Sequence, residues 1–183
     1  MKVVDGAYAP TDSLIVTVNN VAPSVTNPGN KTLNEGDTLE LKVNFSDPGN
    51  DAHTVTFNWG GSEGSSTVNV AQGSGSKSAT ATHKYPQQGS YAASVSVHDG
   101  TTSTPANFTV TVGNVGPTLN DIGTINGSEG ATFTLPITFS DPGSDAHTVT
   151  IVWGDGSTNT VVNRAAASGS QTFSTTHTYA DNK

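Results

Sequence analysis

The chain has 183 residues, of which 15 are acidic and 7 basic, giving a formal net charge of −8; apolar side chains make up 32% and there is no cysteine. Scattered acids and the lack of a basic stripe argue against nucleic acid and anionic membranes as partners, and no apolar run is long enough to insert into a bilayer. Without cysteine there are no disulfide staples and no thiolate sites. No signal-peptide core follows Met1, so the sequence reads as a piece of a larger secreted protein or a chain without its export signal. Abundant Gly, Ser, Thr, Asn and Val suit small β-domains with one wetted face per sheet and a thin core.

In chain order, residues 1–20 come first as two strands belonging to a repeat that is otherwise missing. Val3, Asp5 and Gly6 correspond to Val97, Asp99 and Gly100, and Leu14–Val18 to Phe108–Val112, always 94 positions on. The same offset of 94 relates Asn20-Val21-Ala22-Pro23 to Asn114-Val115-Gly116-Pro117, SDPGNDAHTVTFNWG from Ser46 to SDPGSDAHTVTIVWG from Ser140, and His83 to His177. A fixed period of this size marks a tandem array of one small domain. Residues 21–114 form the complete repeat. Its alternating runs are Leu39, Leu41, Val43, Phe45; Val55, Phe57, Trp59; Ala79, Ala81, His83, Tyr85; Tyr91, Ala93, Val95, Val97; and Phe108, Val110, Val112. Turn clusters divide them at Asp47-Pro48-Gly49, Gly60-Gly61, Gly73-Ser74-Gly75, Gln87-Gln88-Gly89 and Asp99-Gly100. Short, evenly spaced strands without helical periodicity predict an all-β antiparallel sandwich. Residues 115–183 repeat the pattern with Phe133, Leu135, Ile137, Phe139, then Ile151, Trp153, then Phe173, Thr175, His177, Tyr179, and lack the last two strands.

Trp153-Gly154-Asp155-Gly156-Ser157 followed by His177-Thr178-Tyr179 resembles the polycystic-kidney-disease (PKD) domain. The complete repeat carries Trp59, His83, Tyr85, Gly89, Tyr91, Val95 and Asp99-Gly100 in the order of that pattern, and departs from it at Gly61, where the family has aspartate. The resemblance implies tandem immunoglobulin-like sandwiches. It also implies an extracellular or cell-surface setting in bacteria, as spacer or adhesive modules of large surface proteins and secreted hydrolases. It brings no catalytic residues.

Asp141, Asp145 and Asp155, with Asp47 and Asp51 in the first copy, are the clustered acids. A hard cation such as calcium takes six or more oxygens, and this loop is the candidate calcium site; Asp-Pro-Gly is also a turn signal by itself. Glu35-Gly36 and Glu129-Gly130 precede the long strand in each copy and read more simply as turns than as further ligands. His53, His83, His147 and His177 lack a third ligand at zinc spacing, which favours a structural role. Serines are numerous by composition only, with no helix to mount a nucleophile elbow.

The ends raise two readings. Either the chain is a window cut from a longer array, or the strands of residues 1–20 complete the open sandwich of another copy by donor-strand complementation, with Val3, Leu14, Val16 and Val18 as the assembly strand. The methionine at position 1 favours a real start. The donor lies before the first repeat and the open slot past it, so the contact would be heterologous and propagate head-to-tail into a filament. The expected function is a non-catalytic structural or adhesive repeat whose partners are other copies or neighbouring repeats. The alternative is a carbohydrate- or surface-binding accessory module of a secreted hydrolase. In that reading Tyr8, Trp59 and Trp153 would be the aromatics that meet surface glycans, although inward-facing alternation favours a core role for both tryptophans.

Overall fold

A computed structural model of the chain describes Gly6 and residues 12–181. Within them the chain is all-β. The first copy supplies β1 (Ser24–Val25), β2 (Lys31–Asn34), β3 (Thr38–Asp47), β4 (His53–Asn58), β5 (Ser65–Val70), β6 (Gly75–Lys84), β7 (Gly89–His98) and β8 (Ser103–Gly113). The second supplies β9 (Thr118–Leu119), β10 (Thr132–Asp141), β11 (His147–Ile151), β12 (Thr160–Arg164) and β13 (Gly169–Thr178).

In the first copy, a sheet of order β1-β3-β6 faces one of order β2-β8-β7-β4-β5. All pairs are antiparallel except β2 with β8, where Lys31 lies beside Val110. The period-two pattern explains the layering: alternate residues of β3, β4, β7 and β8 turn inward and most of them are apolar. Leu41, Val43 and Phe45 thereby meet Val55, Phe57, Val95, Val97, Phe108 and Val110 in one buried cluster. Trp59 and Tyr85, each just beyond the end of its strand, are also buried and close that cluster.

The second copy follows the same register where its strands exist. Leu41 opposite Ala81 becomes Leu135 opposite Thr175, and Val55 opposite Val68 becomes Val149 opposite Val162. What differs is closure. β4 pairs with β7 on one side and β5 on the other, whereas among the described residues β11 pairs with β12 alone. Val55 and Phe57 are therefore sealed in, while Val149 and Ile151 stay half-exposed. The buried part of this core is Leu135, Ile137 and Trp153, with Phe133, Ile151 and Phe173 packed against it. Residues 125–128 align with β2 yet form no strand, because the described residues contain no counterpart of β8 to pair with. A strand without a ladder partner leaves its N–H and C=O groups to water, and the segment stays irregular.

Residues 12–20 likewise form no strand. Leu14, Val16 and Val18 stand 84%, 71% and 88% exposed. Val3 and Tyr8 lie outside the described residues.

Candidate functional site

The Asp-Pro-Gly turns are shaped by a buried Asp–His pair. Asp47 Oδ1 accepts the Gly49 N–H at 2.7 Å, and its Oδ2 lies 3.0 Å from His53 Nε2. Asp141 does the same, with the Gly143 N–H at 2.8 Å and His147 Nε2 at 2.7 Å. Both oxygens of each aspartate are thus engaged by the turn they close. Lys77 Nζ sits 3.4 Å from His53 Nδ1. Gln171 stands in the equivalent place of the second copy but donates to Ala167 O instead, which leaves His147 Nδ1 buried without a partner.

A second recurring unit stacks Trp on His. The Trp59 and His83 rings are 5.0 Å apart and 11° from parallel; Trp153 and His177 are 4.3 Å apart and 5° from parallel. Tyr85 Oη donates to Trp59 O at 2.9 Å and Tyr179 Oη to Trp153 O at 3.0 Å, tying the loop after each tryptophan to the end of the long strand. In the second copy Asp155 Oδ2 meets His177 Nε2 at 2.8 Å and Oδ1 accepts from Ser157. The Ser157 bonds, followed by His177, hold the Asp155 carboxyl far below the usual range. In the first copy Gly61 replaces that aspartate, and Glu63 takes over: its Oε2 lies 3.1 Å from His83 Nε2. Burial, then the Glu63 and Tyr91 charges, push the Tyr85 hydroxyl up to about 12.

The third feature lies where the two copies meet. Glu35 is 1% exposed. Its Oε2 accepts the Gln88 N–H at 2.9 Å and its Oε1 the Val115 N–H at 2.8 Å. The carboxylate fills the space above Gly143, where a Cβ would lie 2.6 Å from both oxygens. Gly36, at φ +82°, presses on the same loop, its missing Cβ only 2.7 Å from Pro142 Cβ. The Ser144 N–H donates to Pro86 O at 2.8 Å, and Gln87 Nε2 reaches Ser144 O. With its amide turned to face them, Asn114 donates to Glu35 Oε1 and Asp145 Oδ2, each at 3.1 Å.

Glu35, Asp141 and Asp145 therefore bring one carboxylate oxygen each to within 4.8 Å of one another. Of the expected set Asp141, Asp145 and Asp155, the structure brings the first two together. Asp155 belongs to the Trp–His unit, and the third carboxylate is Glu35 of the preceding copy, which stands in the Glu-Gly turn expected from the sequence and reaches out of it across the junction. Asp47 and Asp51 are joined by no third carboxylate among the described residues. Instead the Asp51 carboxylate folds over Gly49, into the space that Glu35 fills over Gly143. An all-oxygen donor set of this kind suits a hard cation rather than a soft one. The sequence signal for Glu35 was its recurrence as Glu129-Gly130 ahead of β10; nothing local said that it reaches across a junction.

Trp59 and Trp153, 1% and 8% exposed, are core residues and offer no face to a sugar ring. Asp99 closes the β7–β8 turn. The Asn20 amide at 2.9 Å, followed by the Thr102 and Thr101 N–H groups, lowers its carboxyl to about 2.

Facing sheets, tyrosine-locked loops and a stacked Trp–His pair define an immunoglobulin-like sandwich module. The match to the PKD domain spans residues 20–112, and the chain belongs to the PKD-domain family, whose modules are non-catalytic. Among solved structures, the chain is similar to the ASH / PapD-like domain of human CEP192 (PapD-like domain 7), at 13% identity and a TM-score of 0.33, covering 56% of this chain and 97% of that one. No curated protein matches the chain.

Proposed function

We infer that the chain is a non-catalytic structural and adhesive repeat of a bacterial extracellular or cell-surface protein or fibre, and that its copies polymerise head-to-tail by donating a strand. The observation that supports assembly is a matched pair of defects. Phe108, Val110 and Val112 are buried in the complete sandwich, and their counterparts Leu14, Val16 and Val18 lie bare. Among the described residues, the second copy meanwhile has no strand beside β11 where β7 lies beside β4. Strand addition would pair these backbone groups and bury the apolar set. The gross gain is roughly 1.5–3 kcal/mol per side chain before ordering costs. Register should be sharp, since a slip of one residue would turn the set outward. Val3 would fall where Val97 lies, in the strand preceding.

Light scattering across a concentration series tests this. Mass should grow with concentration, Val16→Asp should abolish the growth, and free peptide 13–19 should shorten the chains. A monodisperse monomer at high concentration refutes it.

The calcium reading attaches to Glu35, Asp141 and Asp145, the three carboxylates that converge. Millimolar calcium should then raise the melting temperature over that in chelator, and Asp145→Asn should reduce the rise. Equal melting with calcium and chelator rules the ion out.

A further inference from the structure

The contact between the two copies within the chain is a template for a contact between chains. We propose that Glu129 of one molecule seats over Gly49 of the next, as Glu35 seats over Gly143 within the molecule. This rests on the head-to-tail reading above and adds the docking surface, its recognition group and the partner, which is a second copy of this chain.

Each half of the internal junction recurs at the opposite end. Glu35-Gly36 recurs as Glu129-Gly130; the receiving side Asn114-Val115, Asp141-Pro142-Gly143 and Asp145 recurs as Asn20-Val21, Asp47-Pro48-Gly49 and Asp51. The donor turn is already formed. Gly130 has φ +72° against +82° at Gly36. Its N–H donates to Tyr179 O at 2.8 Å, as the Gly36 N–H donates to Tyr85 O at 2.9 Å. Little ordering remains to be done when a partner arrives, which favours binding. Yet Glu129 is exposed where Glu35 is buried.

The receiving side differs from its filled counterpart in two ways. Asp51 covers Gly49 with its own carboxylate. Asn20 directs its amide to Asp99 Oδ2, whereas Asn114 reaches Glu35 and Asp145. On docking, Glu129 would displace Asp51 from above Gly49, accept the Val21 N–H, and draw the Asn20 amide onto itself and Asp51. Gly130 would lie on Pro48, and the Asn50 N–H would donate to Ala180 O. Gln87 and Ser144 are replaced at this end by Asp181 and Asn50. The exchange is complementary, because the Asn50 amide can donate to the Asp181 carboxylate.

Sedimentation velocity on the full chain, with wild type, Glu129→Ala and Gly49→Val, tests the contact. Glu129→Ala lies outside the donor strand, whereas Gly49 lines one hollow with Val18 of that strand, so Glu129→Ala is the variant that separates the two contacts. Each substitution should weaken association by roughly thirtyfold or more, the usual effect of truncating one side of a buried, hydrogen-bonded charged contact. If wild type associates and Glu129→Ala leaves the affinity within about twofold of it, this contact is wrong while strand donation stands. A wild-type chain that stays monomeric overturns both. Where Gly49→Val melts early through its own turn, Glu129→Ala decides alone.

Discussion

Replacing Glu35 by alanine should loosen the junction between the copies more than any other single carboxylate change. The side chain is buried and its two oxygens accept the Gln88 and Val115 N–H groups at 2.9 and 2.8 Å. Hydrogen bonds to a charged acceptor contribute about 1.5–3 kcal/mol each, and truncation leaves both donors facing a void. Against this stands the relief of removing a negative charge from beside Asp141 and Asp145. The net loss should be about 3 kcal/mol for Glu35→Ala and roughly half that for Glu35→Gln, whose amide oxygen still accepts one N–H. In a melt this corresponds to a fall of roughly 10 °C or more. Glu129→Ala is the internal control: the same residue in the second copy, exposed, should change stability by under about 0.5 kcal/mol in dilute, unassociated protein. Amide hydrogen exchange at Gln88 and Val115 should accelerate in Glu35→Ala alone. If the two alanine variants melt alike and those amides exchange at the wild-type rate, the buried carboxylate contributes nothing to the junction.

Trp59→Ala and Trp153→Ala should each cost about 3–5 kcal/mol, with Trp59 at the upper end because its sandwich is closed on all sides; urea titrations of the two variants compare them directly. Acid should destabilise the fold below about pH 4. Asp99 and Asp155 have lowered folded-state pKa values, so their contribution is complete above the unfolded value near 3.8, and that of Asp99 is lost as pH falls through about 2. Alkali acts in the opposite sense through Tyr85. Its folded pKa is raised to about 12, so stability declines as pH rises from the unfolded value of 10 toward 12. Tyr85→Phe should flatten the alkaline limb, and a limb unchanged by that substitution would contradict the assignment.

The sandwich was legible because period-two burial and a 94-residue offset are both properties of neighbours along the chain. Leu41, Val43 and Phe45 face inward for the reason that alternation predicts, and Trp153 and Trp59 share a place for the reason that the offset predicts. What stayed hidden was chemistry that passes between elements. Asp155 looked like a partner for Asp141 and Asp145 because the three are close in sequence. But the tight Trp-Gly-Asp-Gly-Ser loop and the His177 ring claim its oxygens first. Gly61 departs from the family's aspartate; Glu63, two positions on, brings a carboxylate to His83. Glu35 was the hardest, since a Glu-Gly turn before a strand has a sufficient local explanation, and its burial depends on Gly143, 108 positions away. That glycine is informative in turn. Pro142-Gly143 and Pro48-Gly49 each leave a space the size of a side chain above the glycine, and in both copies a carboxylate moves into it. In one copy the carboxylate comes from the preceding sandwich. In the other it comes from the turn itself, from Asp51.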